Sequence, residues 1–237
     1  MLLVHAFPLD ASMWQPQRAA LDVPVLAPNL PGFGGTPDAG PVMTMEAAAG
    51  SCVEHLDAAG AGRAVVCGLS MGGYVAFELW RRHPERVAGL VLANTRAEAD
   101  DEAGMDRRRA LALQLREQGS GFLVESPPPL LSKDAPEEVW RRVREIIAAQ
   151  PAEAIAAASL GMAERADSRP DLSLMRVPTL VVTSTGDELI PPGISSPMAE
   201  AIPGARLAVL EGAGHLSNME SPEEFNRLLA AHMLRCT

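Results

Sequence analysis

Short apolar runs alternating with helix-periodic stretches organise most of this chain. Residues 1–4 predict a buried strand ending at His5, and Ala64–Leu69, Val87–Ala93, Thr179–Ser184 and Arg206–Leu210 predict four more. Residues 23–27 predict a sixth, whose Pro24 and neighbouring Pro28 suit a sheet edge because proline donates no backbone hydrogen bond. Helices are expected after Thr44, with Glu46 in the first turn and Gly60 beyond the end, and from Met71 to about residue 83, where Pro84 stops it. The last helix opens on Ser221-Pro222-Glu223-Glu224, which reads as a capping serine, a proline at the first helical position and a capping-box glutamate.

Between residues 96 and 176 no strand pattern is found. Val139, Val143, Ile146 and Ile147 form an inward-facing stripe at helical spacing, and Pro127-Pro128-Pro129 interrupts the block. The expected organisation is an α/β core built from residues 1–95 and 177–237, with residues 96–176 inserted as a helical cap.

Composition narrows the function classes. A net charge of -10 argues against nucleic acid as a partner, because phosphate binding needs a basic surface. No run approaches the roughly 18 apolar residues of a membrane span, and no basic amphipathic segment suggests a membrane surface. Cys52, Cys67 and Cys236 make an odd set without a disulfide framework, which fits a reducing compartment. Residues 1–4 lack the basic start of a signal peptide, so the expected location is cytoplasmic.

The sharpest chemical signal is Gly68-Leu69-Ser70-Met71-Gly72, lying between a predicted strand and a predicted helix. A tight turn there projects a serine oxygen from the end of the strand, and glycines two residues to either side avoid collision with strand and helix. A hydroxyl needs a base. His55, His83 and His232 fall within predicted helices, where solvated or capping roles suit them better. His215 follows the last strand in Glu211-Gly212-Ala213-Gly214-His215, a glycine-rich loop in which a mobile imidazole is expected. Asp187, first after the glycine of Thr185-Gly186-Asp187-Glu188, is the candidate to orient that base, with Glu188 second. Asn94 occupies another strand end where an acid can sit, but it has no charge to give. The N–H groups of Met71 and Phe7 are the candidate oxyanion donors. His5 is expected to organise the Phe7 loop beside the substrate, and Trp14 with Phe7 to wall an acyl pocket, although aromatics near a first strand are more often core.

His5-Ala6-Phe7-Pro8-Leu9-Asp10, Pro31-Gly32-Phe33-Gly34, Gly68 to Gly73, Thr185-Gly186-Asp187 and Gly212 to His215 together resemble bacterial α/β-hydrolases of the esterase and 3-oxoadipate enol-lactonase type. The order Ser70, Asp187, His215 is the one that fold uses. The resemblance spans nearly the whole chain, weakly in the cap. It implies an α/β-hydrolase fold, a cap over the site, no cofactor, and hydrolysis of a small-molecule carboxylic ester or lactone. Arg96, at the start of the cap, is then a candidate to meet a carboxylate-bearing acyl chain, or else a solvated or salt-bridged arginine. Two departures stand out. Ala6 replaces the glycine usual after the histidine, which would narrow the oxyanion loop. Two strands usually precede the one ending at His5, so the expectation is a mostly parallel sheet of about six strands lacking the usual first two, as a monomer or homodimer. The same residues would also serve carbon–carbon bond hydrolysis or perhydrolysis, and a hydrolase-like ligand receptor is the alternative outside catalysis.

Overall fold

The computed structural model describes residues 1–38 and 40–236. Five parallel strands form one sheet in the order β1 (Leu2–Val4), β2 (Ala64–Leu69), β3 (Val87–Ala93), β4 (Thr179–Ser184) and β5 (Arg206–Leu210). β2 and β4 are buried along their whole length, as expected for strands covered on both faces. Register pairs Val4 with Gly68, Leu69 with Ala93, Ala93 with Val182, and Ser184 with Leu210. The carboxyl ends of all five strands therefore lie along one edge, where open α/β sheets place their ligands.

The sixth strand does not form. Leu26 alone bridges to Leu2: its N–H donates to the Met1 carbonyl and its carbonyl accepts from the Leu3 N–H, both at 2.8 Å. Pro24 and Pro28 have no N–H with which to extend the ladder on either side. The prolines placed the segment at the edge correctly, and they also limit it to one bridge.

Helices fill the connections. α1 (Gln15–Ala20) and α2 (Met45–Ala58) lie between β1 and β2, and α3 (Met71–Arg82) between β2 and β3. Thr44 caps α2 as expected, its hydroxyl accepting from the Ala47 N–H at 3.1 Å. Between β3 and β4 the described residues form helices and no strand: α4 (Glu102–Gln118), α5 (Gly121–Glu125), α6 (Glu137–Ala148), α7 (Ala152–Ala163) and α8 (Arg169–Leu172). On α6, Val143, Ile146 and Ile147 are buried and Val139 packs against the core at its margin. α9 (Pro192–Ala201) joins β4 to β5, and α10 (Ser217–Glu220) and α11 (Pro222–Met233) follow β5.

The start of α11 corrects one detail. Pro222 and the two glutamates occupy the first turn, but the Ser221 side chain makes no capping bond. Ser221 also ends α10, and its N–H donates to the Ser217 carbonyl at 2.9 Å, so its backbone is set by the preceding turn. No single described helix is long and apolar enough to cross a membrane.

Candidate active site

Ser70 lies between β2 and α3 with φ 56° and ψ -116°, a left-handed conformation that a serine adopts only under constraint, at about 1–3 kcal/mol. Three hydrogen bonds hold it there. Its N–H donates to the Ala93 carbonyl at 2.9 Å, and its carbonyl accepts from the Gly73 N–H at 2.9 Å and the Thr95 hydroxyl at 2.8 Å. The two flanking glycines are needed for packing. A Cβ on Gly68 would stand 2.1 Å from the Gly72 carbonyl oxygen, and one on Gly72 would stand 2.1 Å from that of Val4. Both collisions expected from the sequence are thus found, one with the helix and one with the end of β1.

His215 and Asp187 meet in the interior. His215 Nδ1–H donates to Asp187 Oδ2 at 2.8 Å, a proton position that follows from the carboxylate's having only lone pairs to offer. That leaves Nε2 as the ring's acceptor. Asp187 Oδ1 accepts from the N–H groups of Leu189 and Ile190, each at 2.9 Å, and Oδ2 also accepts from Asn94 Nδ2 at 3.0 Å. Burial pushes the Asp187 carboxyl upward. The His215 hydrogen bond and charge, with the Ile190 N–H and the Asn94 amide, outweigh it and hold the group below the usual carboxylate range. Glu188, the competitor, points to solvent and pairs with Lys133 at 3.0 Å.

The His215 loop is not the mobile segment its glycines suggest. His215 is 2% exposed. Gly214 N–H donates to Glu220 Oε2 at 3.0 Å, the Gly214 carbonyl accepts from the Ser184 hydroxyl at 2.6 Å, and Leu216 N–H donates to the Leu130 carbonyl at 2.8 Å. A Cβ on Gly214 would lie 2.2 Å from the Ser132 nitrogen, so glycine serves close packing at that position. The imidazole is held between the sheet and the segment before α6.

Asn94 is the residue that sequence reasoning undervalued. It is fully buried with φ 43°, donates from Nδ2 to Ser184 Oγ at 2.6 Å as well as to Asp187, and accepts from the Ser217 hydroxyl at 2.6 Å. One uncharged amide therefore ties together the ends of β3 and β4 and the turn after His215. Its missing charge had seemed only to favour Asp187 as the acid. The same lack of charge lets it donate to that carboxylate without repelling it.

A cavity of about 350 Å³ opens over these groups. Ser70, His215, Phe7 and Pro8 line it from the core side, Tyr74 from α3, and Leu111, Leu130 and Met162 from the 96–176 segment. Arg96 lines it too, with Nη2–H donating to the Leu189 carbonyl at 3.3 Å. A wider groove of about 660 Å³ runs outside α6 past Glu137, Arg141 and Arg144 and includes none of the residues above.

Other expectations need correction. His5 does not line the cavity. It is buried beneath it, donating from Nδ1 to the Ala6 carbonyl at 3.1 Å and accepting at Nε2 from the Leu30 N–H at 3.0 Å, with its ring edge-on to Phe33 at 5.2 Å. It organises the loop, as expected, but from behind. Burial drives its pKa down to about 4, against the opposing pull of the Ala6 carbonyl and Asp10. Trp14 is core, packed against Phe225 at 6.1 Å between ring centres. Ala6 is buried and does not line the cavity, so its methyl does not narrow the site. His232 is not solvated: it is 1% exposed, in the last turn of α11. His55 and His83 are exposed or partly so, as expected.

Phe7 lines the same cavity as Ser70, its peptide bond to Pro8 being cis. Met71 is the first residue of α3, where an N–H has no carbonyl four residues earlier to accept it. Among the described residues, no group of three or more His, Cys, Asp or Glu side chains could hold a metal ion.

Comparison with known proteins identifies the family and the fold. The profile of the alpha/beta hydrolase family matches residues 1–228. A pimeloyl-[acyl-carrier protein] methyl ester esterase of Aromatoleum aromaticum is 30% identical over 243 residues, covering 94% of each chain. Among solved structures, a thermophilic esterase from Thermogutta terrifontis, malate bound, superposes with a TM-score of 0.96 at 40% identity, covering 99% of this chain and 89% of that one. An enol-lactonase from Burkholderia xenovorans LB400 superposes with a TM-score of 0.90 at 29% identity, covering 98% of this chain and 90% of the other.

Proposed function

The chain belongs to the alpha/beta hydrolase family, and from that premise we propose that it is a serine hydrolase cleaving carboxylic esters of small to medium acyl size. The observation that carries the reading is the joint placement of Ser70 and His215 in one cavity wall, with the far nitrogen of His215 already fixed by Asp187. In the proposed reaction Ser70 Oγ attacks the ester carbonyl carbon while His215 Nε2 takes the hydroxyl proton. The carbonyl oxygen becomes an oxyanion, stabilised by the N–H groups of Met71 and Phe7 and by the positive end of α3. Collapse expels the alcohol, which receives the proton from His215. Water attacks the acyl-enzyme by the same route, releasing the acid and restoring Ser70. Asp187 stays ionised throughout, orients the ring and stabilises the imidazolium.

A cavity of about 350 Å³ lined by Leu111, Met162 and Leu130 suits an acyl group of a few carbons better than a long lipid chain. Hydrolysis of p-nitrophenyl esters from acetate to decanoate, by the native protein and by Ser70→Ala, tests the proposal. The expected result is turnover that peaks at short to medium chains and disappears in the variant. Undiminished turnover by a folded Ser70→Ala protein would overturn it.

A further inference from the structure

Glu220, at the end of α10, holds together two segments that lie far apart in the chain. Its Oε2 accepts from the Gly214 N–H and from the Ser132 N–H, each at 3.0 Å, and its Oε1 accepts from the Ser132 hydroxyl. A further bond runs alongside, from the Leu216 N–H to the Leu130 carbonyl at 2.8 Å. These bonds bracket His215, one gripping the residue before it and the other the residue after it. Ser132 is also wedged against the turns that carry base and acid. A Cβ on Gly214 would stand 2.2 Å from its nitrogen, and one on Gly186, next to Asp187, would stand 3.1 Å from its Cβ. The same segment builds the cavity: Pro127-Pro128-Pro129 runs into it, and Pro128 and Leu130 line the wall together with Ser70 and His215. Proline fixes φ, so a run of three carries its anchorage onward as a stiff rod rather than a slack loop.

We propose that Glu220 is a positioning residue for the reaction: its carboxylate docks the triple-proline segment onto the His215 loop, so that one latch sets both the cavity wall and the base. The inference rests on the reading of His215 as the base of Ser70, and it adds what holds that base in reach. The bond from Nδ1 to Asp187 orients the ring, but where the ring stands depends on the backbone that carries it, which Glu220 grips. A carboxylate suits the place because it has only lone pairs to offer and meets three donors at once. Glutamine keeps these contacts at lower strength, its oxygen accepting both N–H groups and its amide donating to the Ser132 hydroxyl oxygen. Aspartate keeps the charge but falls one methylene short of both partners.

Two readouts are compared across Glu220 variants: hydrolysis of p-nitrophenyl butyrate, and the downfield proton resonance of His215 Nδ1–H, identified by its loss in His215→Ala. Displacing a catalytic group by ~1 Å slows a reaction on the order of 10²-fold, so Glu220→Ala is expected to lose about 30- to 100-fold in kcat per folded molecule. Its KM rises as well, because the wall at Pro128 and Leu130 loosens with the base, and the resonance broadens as the ring begins to move. Glu220→Asp is expected to lose about tenfold in kcat, whereas Glu220→Gln stays within about threefold of the native protein. Glu223→Gln, an exposed position at the start of α11, leaves both readouts as they were. Should Glu220→Ala not fold, the order of the other two variants decides, since reach rather than charge then has to set the rate. A folded Glu220→Ala protein with native kcat and an intact resonance, its loss confined to the urea midpoint, overturns the latch. So does a native-like Glu220→Asp beside an impaired Glu220→Gln. No turnover by the native protein overturns the serine reading instead, and the resonance, which needs no substrate, still shows whether Glu220 holds the ring.

Discussion

Replacing Asn94 by alanine removes three buried hydrogen bonds at once. The bond from Nδ2 to Asp187 Oδ2, 3.0 Å long, has a charged acceptor and contributes about 1.5–3 kcal/mol. Those with Ser184 and Ser217, both 2.6 Å, join neutral groups and contribute about 1 kcal/mol each. Ser184 keeps its bond to the Gly214 carbonyl, so the Ser217 hydroxyl is the group left buried without its acceptor. Alanine also tolerates the φ of 43° less well than asparagine, by up to about 1 kcal/mol. A water entering the vacated space restores part of this, so the expected loss is about 3–4 kcal/mol, a large share of the 5–15 kcal/mol typical of a domain. Urea unfolding reads it as a lower midpoint at unchanged slope. Asn94→Gly separates the two causes: it loses the same bonds without the backbone penalty and falls by about 1 kcal/mol less. A loss below about 1 kcal/mol in Asn94→Ala, or glycine no better than alanine, would refute the assigned role of this amide.

Gly72→Ala places a methyl 2.1 Å from the Val4 carbonyl oxygen and is expected to cost at least about 3 kcal/mol or prevent folding. Gly50→Ala, in α2 with open space around its Cβ, is expected to raise the urea midpoint by the equivalent of about 0.5–1 kcal/mol, and the opposite sign would contradict the packing described. His5 has a folded pKa of about 4, below its unfolded value near 6.5, so the unfolded chain binds the extra proton. The stability of the neutral ring is complete above about pH 6.5 and is lost as pH falls toward 4, by on the order of 3 kcal/mol. His5→Asn should flatten the stability–pH curve between pH 6.5 and 5, and an unchanged slope would count against a neutral His5. Asp187 is also shifted downward: its contribution is present above the unfolded carboxylate pKa and lost as pH falls through its depressed folded value. Asp187→Asn is therefore expected to lose stability at neutral pH and to show a shallower acid decline than the native protein.

How far the sequence disclosed this site depended on whether the controlling interactions were local. The Ser70 elbow was legible because its strand, turn and helix are consecutive and its glycines are dictated by neighbours a few residues away. Asp187 was separable from Glu188 because the first position after a strand and glycine turn points inward. The contacts that decided His5, Trp14 and the His215 loop come from far along the chain: Leu30 for His5, Phe225 for Trp14, Leu130 and Ser132 for the loop. Gly214 before His215 reads locally as mobility, whereas the distant Ser132 backbone makes it a packing requirement. The edge segment around Leu26 failed for an energetic reason, two prolines in a stretch too short to pair around them.

The central claim is that Ser70 is a nucleophile activated by the His215–Asp187 pair. Treatment with a fluorophosphonate, followed by intact mass and peptide mapping, tests it without any assumption about the natural substrate. The account predicts one adduct per chain on the peptide bearing Ser70, absent in Ser70→Ala and strongly slowed in His215→Ala. Labelling that persists at the native rate in Ser70→Ala, or maps to another residue, would contradict it.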